Sequence, residues 1–255
     1  ATAAAVALGN IASNAVASGL HLVKALTLDP IKQGFQQYQD KMQSMMALLV
    51  ALGEGAKGAI NGAVNELTTY ANKTVYSVND MIGALSTLVN QGIGLNDAVT
   101  VIKGFGNAAA VAGVDTNTFK SQLDTALTQA YALGHMDYPN FKQLEMSHIV
   151  TKQFKDAMLD AAKAQGISVD LSKGFNASLA DGWANVNVMN AAMKTLAENP
   201  AMLNAAQQFH SLSQATDATR ESIVTGWAGV WEILIGDVNA STKLWTSLGG
   251  AVSDV

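Results

Sequence analysis

Along nearly the whole chain, apolar positions recur at steps of three and four, the spacing of one face of an α-helix. Between Asp29 and Gly53 the set Ile31, Phe35, Tyr38, Met42, Met45, Met46, Leu49 and Leu52 keeps that spacing. Asp29-Pro30 supplies an N-cap and a proline at the first helical position, and Gly53 a stop. Ile60, Val64, Leu67 and Ala71 form the next stripe. Ser77-Val78-Asn79-Asp80 has the form of a capping box, and opens a helix with Met81, Ile82, Leu85, Leu88 and Val89 on one face and Gly92 at its end. Asn96 to Gly113 carries Val99, Ile102 and Phe105. Asp115 or Thr116 caps a helix with Phe119, Leu123, Leu127 and Tyr131, closed by Gly134. Phe154, Met158 and Ala161 define another, closed by Gly166. Val186 to Glu198 carries Val188, Met189, Ala192, Met193 and Leu196, and Asn199-Pro200 restarts a helix. Two more are predicted around Ile223 to Ile235 and Thr242 to Val252. Only Ile167-Ser168-Val169-Asp170-Leu171 alternates like a strand, and it sits in the longest irregular segment, Gly166 to Phe175, which reads as an ordered loop.

The pattern therefore predicts an all-α chain: a multi-helix globular domain of amphipathic helices joined by Gly/Pro turns, with no significant sheet. Residues 1–28 form an Ala-rich helical lead-in with weak periodicity, and residues 29–255 the helical domain. Two subdomains, about 29–165 and 176–255, are the alternative division. Composition sharpens this picture. Hydrophobic residues make up 49% of the chain but aromatic ones only 6%, so the apolar content is mostly Ala, Val, Leu and Met. Such a chain makes helices readily and builds a thin core. With no cysteine, disulfides and thiolate metal sites are excluded. The net charge is −5 and Arg220 is the only arginine, so the basic footprint of a specific nucleic-acid binder is missing. The longest apolar run, Met45 to Leu52, is too short to span a membrane. The opening Ala1-Thr2-Ala3-Ala4-Ala5 has no basic n-region, and a start in mid-pattern reads as part of a longer chain.

Candidate chemistry is sparse. The histidines are His21, His135, His148 and His210. Glu145-Met146-Ser147-His148 is half of a di-iron bundle motif without a second copy, so a surface or capping histidine is expected. Gly104-Phe105-Gly106 resembles the start of a dinucleotide fingerprint, but no strand precedes it; helix-packing glycines are expected. No catalytic, cofactor-binding or metal-ligating residue is assigned, and the chain is expected not to be an enzyme. The aromatic residues Tyr70, Tyr76, Trp183, Trp227, Trp231 and Trp245 are candidates for structural anchors or interface contacts.

The junctions between helices carry a resemblance. Glu66-Leu67-Thr68-Thr69-Tyr70-Ala71-Asn72-Lys73-Thr74-Val75-Tyr76, then Asp80-Met81, Gly92, Ala98-Val99 and Ile102-Lys103-Gly104 follow one another in order. Further on come Gln122 to Gly134, Phe154-Lys155-Asp156-Ala157 through Gly166, and Phe175-Asn176-Ala177-Ser178-Leu179-Ala180-Asp181-Gly182-Trp183. The last is Trp227-Ala228-Gly229-Val230-Trp231-Glu232-Ile233-Leu234-Ile235-Gly236-Asp237. Over roughly residues 29–255 this series resembles the conserved N-terminal region of the tail tape measure proteins of long-tailed bacteriophages. The departures are at Leu127-Thr128-Gln129 and Tyr138-Pro139-Asn140-Phe141, where that family often has a Ser-Gln pair and a later Asp-Trp.

The resemblance implies a virion structural protein of the tail lumen, present in the host cytoplasm during assembly. It implies tail tube and tail tip proteins and tail assembly chaperones as partners, self-association in the tail, and no cofactor. It also implies a role in tail length. A ruler should be a long uninterrupted helix, rising about 1.5 Å per residue. Here Gly53, Gly92, Gly113, Gly134, Gly166 and Pro200 punctuate the chain, so a folded domain attached to the ruler is expected. The competing reading is an α-helical pore-forming or secreted membrane-active protein. It would shelter Met45 to Leu52, or Ile60 to Val64 with Gly58 and Gly62 as a close-packing pair. Membrane contact during ejection has no support in this segment.

Overall fold

The structure, a computed structural model, describes residues 29–208. The lead-in 1–28, the two C-terminal helices, His21, His210, Trp227, Trp231 and Trp245 lie outside the described residues. The chain divides into two compact units, one of Ala1–Met42 with Thr219–Val255 and one of Gln43–Ala218. In the first, the described residues are the beginning of helix α1 (Asp29–Leu52), where Phe35 and Tyr38 stack with ring centroids 6.4 Å apart.

The second unit holds the rest of the described chain. After Gly53, at φ 83°, come α2 (Lys57–Ala71), α3 (Val78–Asn90) and α4 (Leu95–Val111). Then follow α5 (Thr116–Gln122), a π-helical turn (Leu123–Leu127) and α6 (Thr128–Leu133), which run on without a break. Next are α7 (Tyr138–Met146), α8 (Lys152–Ala164), the short α9 (Phe175–Ser178), α10 (Val186–Glu198) and α11 (Pro200–Gln208). Among the described residues the fold is all-α, as the periodicity predicts. No strand forms, and the one departure is an isolated bridge between His135 and Asn185. No described helix is long and apolar enough to cross a membrane.

Local chemistry sets the helix ends. Asp115 accepts from the amides of Asn117 and Thr118, Asp137 from Asn140, Thr151 from Phe154, and Asn185 from Asn187 and Val188. Each satisfies amides that the first helical turn leaves without a partner. Ser77 accepts from Asp80 N at 3.4 Å, while the Asp80 carboxylate reaches Lys120 at 3.0 Å. The C-termini of α3, α4, α7 and α8 share one device. A left-handed residue is followed by an apolar one whose amide reaches back to the helix: Ile93 to Leu88, Val114 to Ala109, Ile149 to Leu144, Ile167 to Ala162. This is the Schellman arrangement. Three of the left-handed positions are glycine; the fourth is His148, at φ 66° and exposed. The expected capping histidine is therefore a C-terminal one.

The π-turn answers a problem of phase. Phe119, Leu123, Leu127 and Tyr131 are all buried, at three successive steps of four. Each such step overshoots an α-helical face by about 40°, roughly 120° in all. One wider turn absorbs an extra residue and returns Tyr131 to the face that Phe119 began.

Helix α4 is the centre of the packing, touched by α2, α3, α10 and α11. Val99, Ile102 and Phe105 are buried as expected, and so is every residue from Gly104 to Ala110. Helix α10 lies against both α4 and α8. The segment between α8 and α9 is irregular, with Ile167 and Val169 half-buried and Ser168 and Asp170 exposed. This is the expected loop. It lies within the unit Gln43–Ala218, and α8 before it packs on α10 after it.

Candidate functional site

Three of the predicted anchors, Tyr70, Tyr76 and Trp183, fall in the described residues, and all three are buried. They do not converge on one catalytic centre; each closes a junction.

Tyr70 comes from the buried face of α2. Its hydroxyl donates to Asn107 Oδ1 at 2.8 Å and lies 3.3 Å from the Lys103 carbonyl. The Asn107 amide then donates to the carbonyls of Leu196 (3.1 Å) and Ala197 (3.3 Å) at the end of α10. One fully buried asparagine thus ties α2, α4 and α10 together and satisfies two carbonyls that the helix end leaves free. Burial pushes the Tyr70 hydroxyl well above the usual tyrosine range, so it stays a neutral donor. The approach is close because α4 is bare here. A Cβ on Gly104 would stand 2.2 Å from the Met193 carbonyl oxygen, and one on Gly106 would stand 2.7 Å from Tyr70 Oη. Gly104 and Gly106 are packing glycines, as the lack of a preceding strand predicts.

Tyr76 stacks on Phe119 at 4.0 Å, and Phe119 leans on Phe105 at 5.7 Å. Its hydroxyl donates to the Val114 carbonyl at 3.4 Å, and burial again raises its pKa. Beside it in sequence, the half-buried Asp80 takes Lys120, which also holds Asp124 at 2.7 Å. Burial raises the Asp80 pKa and outweighs the opposing pull of Lys120.

Trp183 belongs to a third cluster. Its indole N–H donates to Ser178 Oγ at 3.0 Å, and Ser178 in turn donates to the Phe175 carbonyl at 2.7 Å. Its ring meets Phe175 edge-on at 5.5 Å, and Phe175 stacks on Phe141 at 4.9 Å. Lys155 Nζ lies over Phe141 and Phe175, 5.8 and 5.7 Å from their centroids, and pairs with Glu145 at 3.1 Å. Glu145 also accepts from Lys142 at 2.9 Å and Asn176 at 3.1 Å. Lys142 foremost, then Asn176 and Lys155, hold its carboxyl down to about 2. The structure gives Glu145 and His148 separate local roles. The glutamate is filled by two lysines and an amide, and the histidine is a helix cap. Among the described residues no group of three or more His, Asp or Glu could hold a metal ion.

An open groove of about 380 Å³ runs between α2 and α11 over Tyr70 and Ala197. Glu66 and Lys103 on its wall are paired with each other at 2.7 Å.

Asn107 and Glu145 are the organising polar residues that no motif predicts as anchors. The signal for Asn107 was a lone amide within the apolar run from Gly104 to Val114. Comparison with known protein families, with curated proteins and with solved structures finds no match.

Proposed function

We propose that the chain is a non-enzymatic structural domain of a phage tail tape measure protein, acting in tail assembly and tail-length determination. In this reading its partners are the tail tube and tip proteins, assembly chaperones and further copies of itself, and its place is the virion tail. The supporting observation is the use made of the residues that carry the resemblance. Tyr70, Tyr76, Ser178 and Trp183 are buried at helix junctions, where they pack and cap. A family whose shared residues do no chemistry should share residues of this kind. The repeated reversal of direction at capped helix ends also suits a folded domain carried by a ruler better than the ruler itself.

Deletion of α4 in the phage gene, followed by electron microscopy of tails, tests the reading. A folded domain loses its central helix, so tails fail to assemble, or appear at normal length in low yield. Tails uniformly shortened by about 1.5 Å per deleted residue would make the segment part of the ruler. Full infectivity with normal tails in normal yield would remove the chain from tail assembly. Liposome leakage caused by the purified chain would favour the membrane-active alternative.

A further inference from the structure

We infer that the link between α8 and α9 is a site of selective proteolysis: the chain can be cut between Lys173 and Gly174 while both pieces stay in one folded unit.

The link itself is the first ground. From Ser168 to Gly174 every residue is exposed except the half-buried Val169. Its backbone is held by few bonds: Ile167 N to Ala162 O at one end, Gly174 N to Leu171 O and Ser178 N to Gly174 O at the other, with Ser172 N on the Asp170 carboxylate. A protease must draw several residues into an extended strand in its cleft, so cleavage falls where little structure has to open. Gly174, at φ 88°, has no side chain to hinder that extension.

Selectivity is the second ground. Among the described residues only two lysines lie outside helices, Lys73 and Lys173. Lys73 is followed by Thr74, Val75 and Tyr76, all buried, and Tyr76 is stacked on Phe119. Opening that turn would dismantle a core junction. Lys173 is preceded by Leu171 and Ser172, both exposed, and makes no ion pair among the described residues. A protease that prefers a basic residue before the cut should therefore choose Lys173. Water adds across the Lys173–Gly174 amide, leaving a carboxylate on Lys173 and an ammonium on Gly174.

The third ground is what remains joined. The part after the cut meets the part before it at every level of the fold. Met136 N donates to Ala184 O at 2.8 Å and Val186 N to Gly134 O at 3.1 Å. Tyr131 bonds Asn190, Asn107 bonds the end of α10, and Gly104 receives the Met193 carbonyl. Phe175 stacks on Phe141 and Asn176 bonds Glu145. Helix α10 is buried against both α4 and α8. The peptide link adds little to a junction already closed by these contacts.

Limited trypsin digestion of the full chain, read by mass spectrometry, size exclusion and circular dichroism, tests this. Within residues 29–208 the first product should begin at Gly174, and the two pieces should elute together with the helical signal retained. In Lys173→Gln that product should be lost, and chymotrypsin should cut instead after the exposed Leu171. A first cut elsewhere in residues 29–208, such as after Lys73, overturns the proposal. So does separation of the pieces, or loss of helical signal, once the link is cut.

Discussion

The junction around α4 and the cluster around Trp183 close helices together in opposite ways. At α4 the closing element is missing atoms: Gly104 lets the α10 backbone come in, and a single asparagine then bonds across. Around Trp183 it is added bulk, three aromatic rings with a lysine and a glutamate at the rim. A fit made by absent atoms has no slack, because backbone cannot rotate aside as a side chain can. A cluster of rings and partly exposed charges spreads its contribution over many contacts and loses them one at a time.

The largest expected effect is therefore at the smallest residue. Gly104→Ala should cost about 3 kcal/mol or more, since overpacking here meets backbone, and a melting curve should show a large drop. An unchanged melting temperature would mean that α10 can shift away, and the contrast between the two regions would fail. Asn107→Ala comes next, at about 2 kcal/mol. It strands the Leu196 and Ala197 carbonyls in the core and leaves Tyr70 the longer contact with Lys103. Hydrogen exchange should speed up at the end of α10 and stay unaltered in α7.

At the rim, Glu145→Gln should cost only about 1 kcal/mol. The loss should depend on pH with a known sign. The folded carboxyl titrates at about 2, below an unfolded value of about 4.3. Its contribution is thus complete above the unfolded pKa and disappears as pH falls through the folded one. Wild type and variant should differ in stability at pH 6 and converge near pH 2; a difference that persists there would assign the effect to packing. The smallest change should be favourable. His148→Gly relieves a left-handed non-glycine residue, and should raise stability by up to about 1 kcal/mol. Denaturant midpoints will check it, and a lower midpoint would mean that the exposed imidazole makes a contact worth more than the strain.

Much of the fold was legible. The stripes, polar N-caps and glycine stops gave most helices and their ends, because capping and periodicity act within one or two turns. Helix α7 escaped the periodicity: it buries only Asn140, Phe141 and Leu144, too short a run to show a period. The four residues of α9 are too few to show a period of their own, and in the sequence they stand out only as the start of the Phe175–Trp183 motif. The π-turn was written in the steps of four from Phe119 to Tyr131, but only if a straight helix is first shown to be out of phase.

The sequence by itself determined that the described residues are helical, where most of their helices begin and stop, and which face of each is apolar. Those properties belong to neighbouring residues and need no partner. Only the tertiary structure decided that Asn107 is the bond between three helices, that Gly104 is where two backbones meet, and that Glu145 faces Lys155 and Asn176. Each of these joins residues many positions apart in the chain. Local spacing says which side of a helix is buried, but not which other helix buries it; that choice depends on which surfaces can approach without a clash, and it is made by all of them at once.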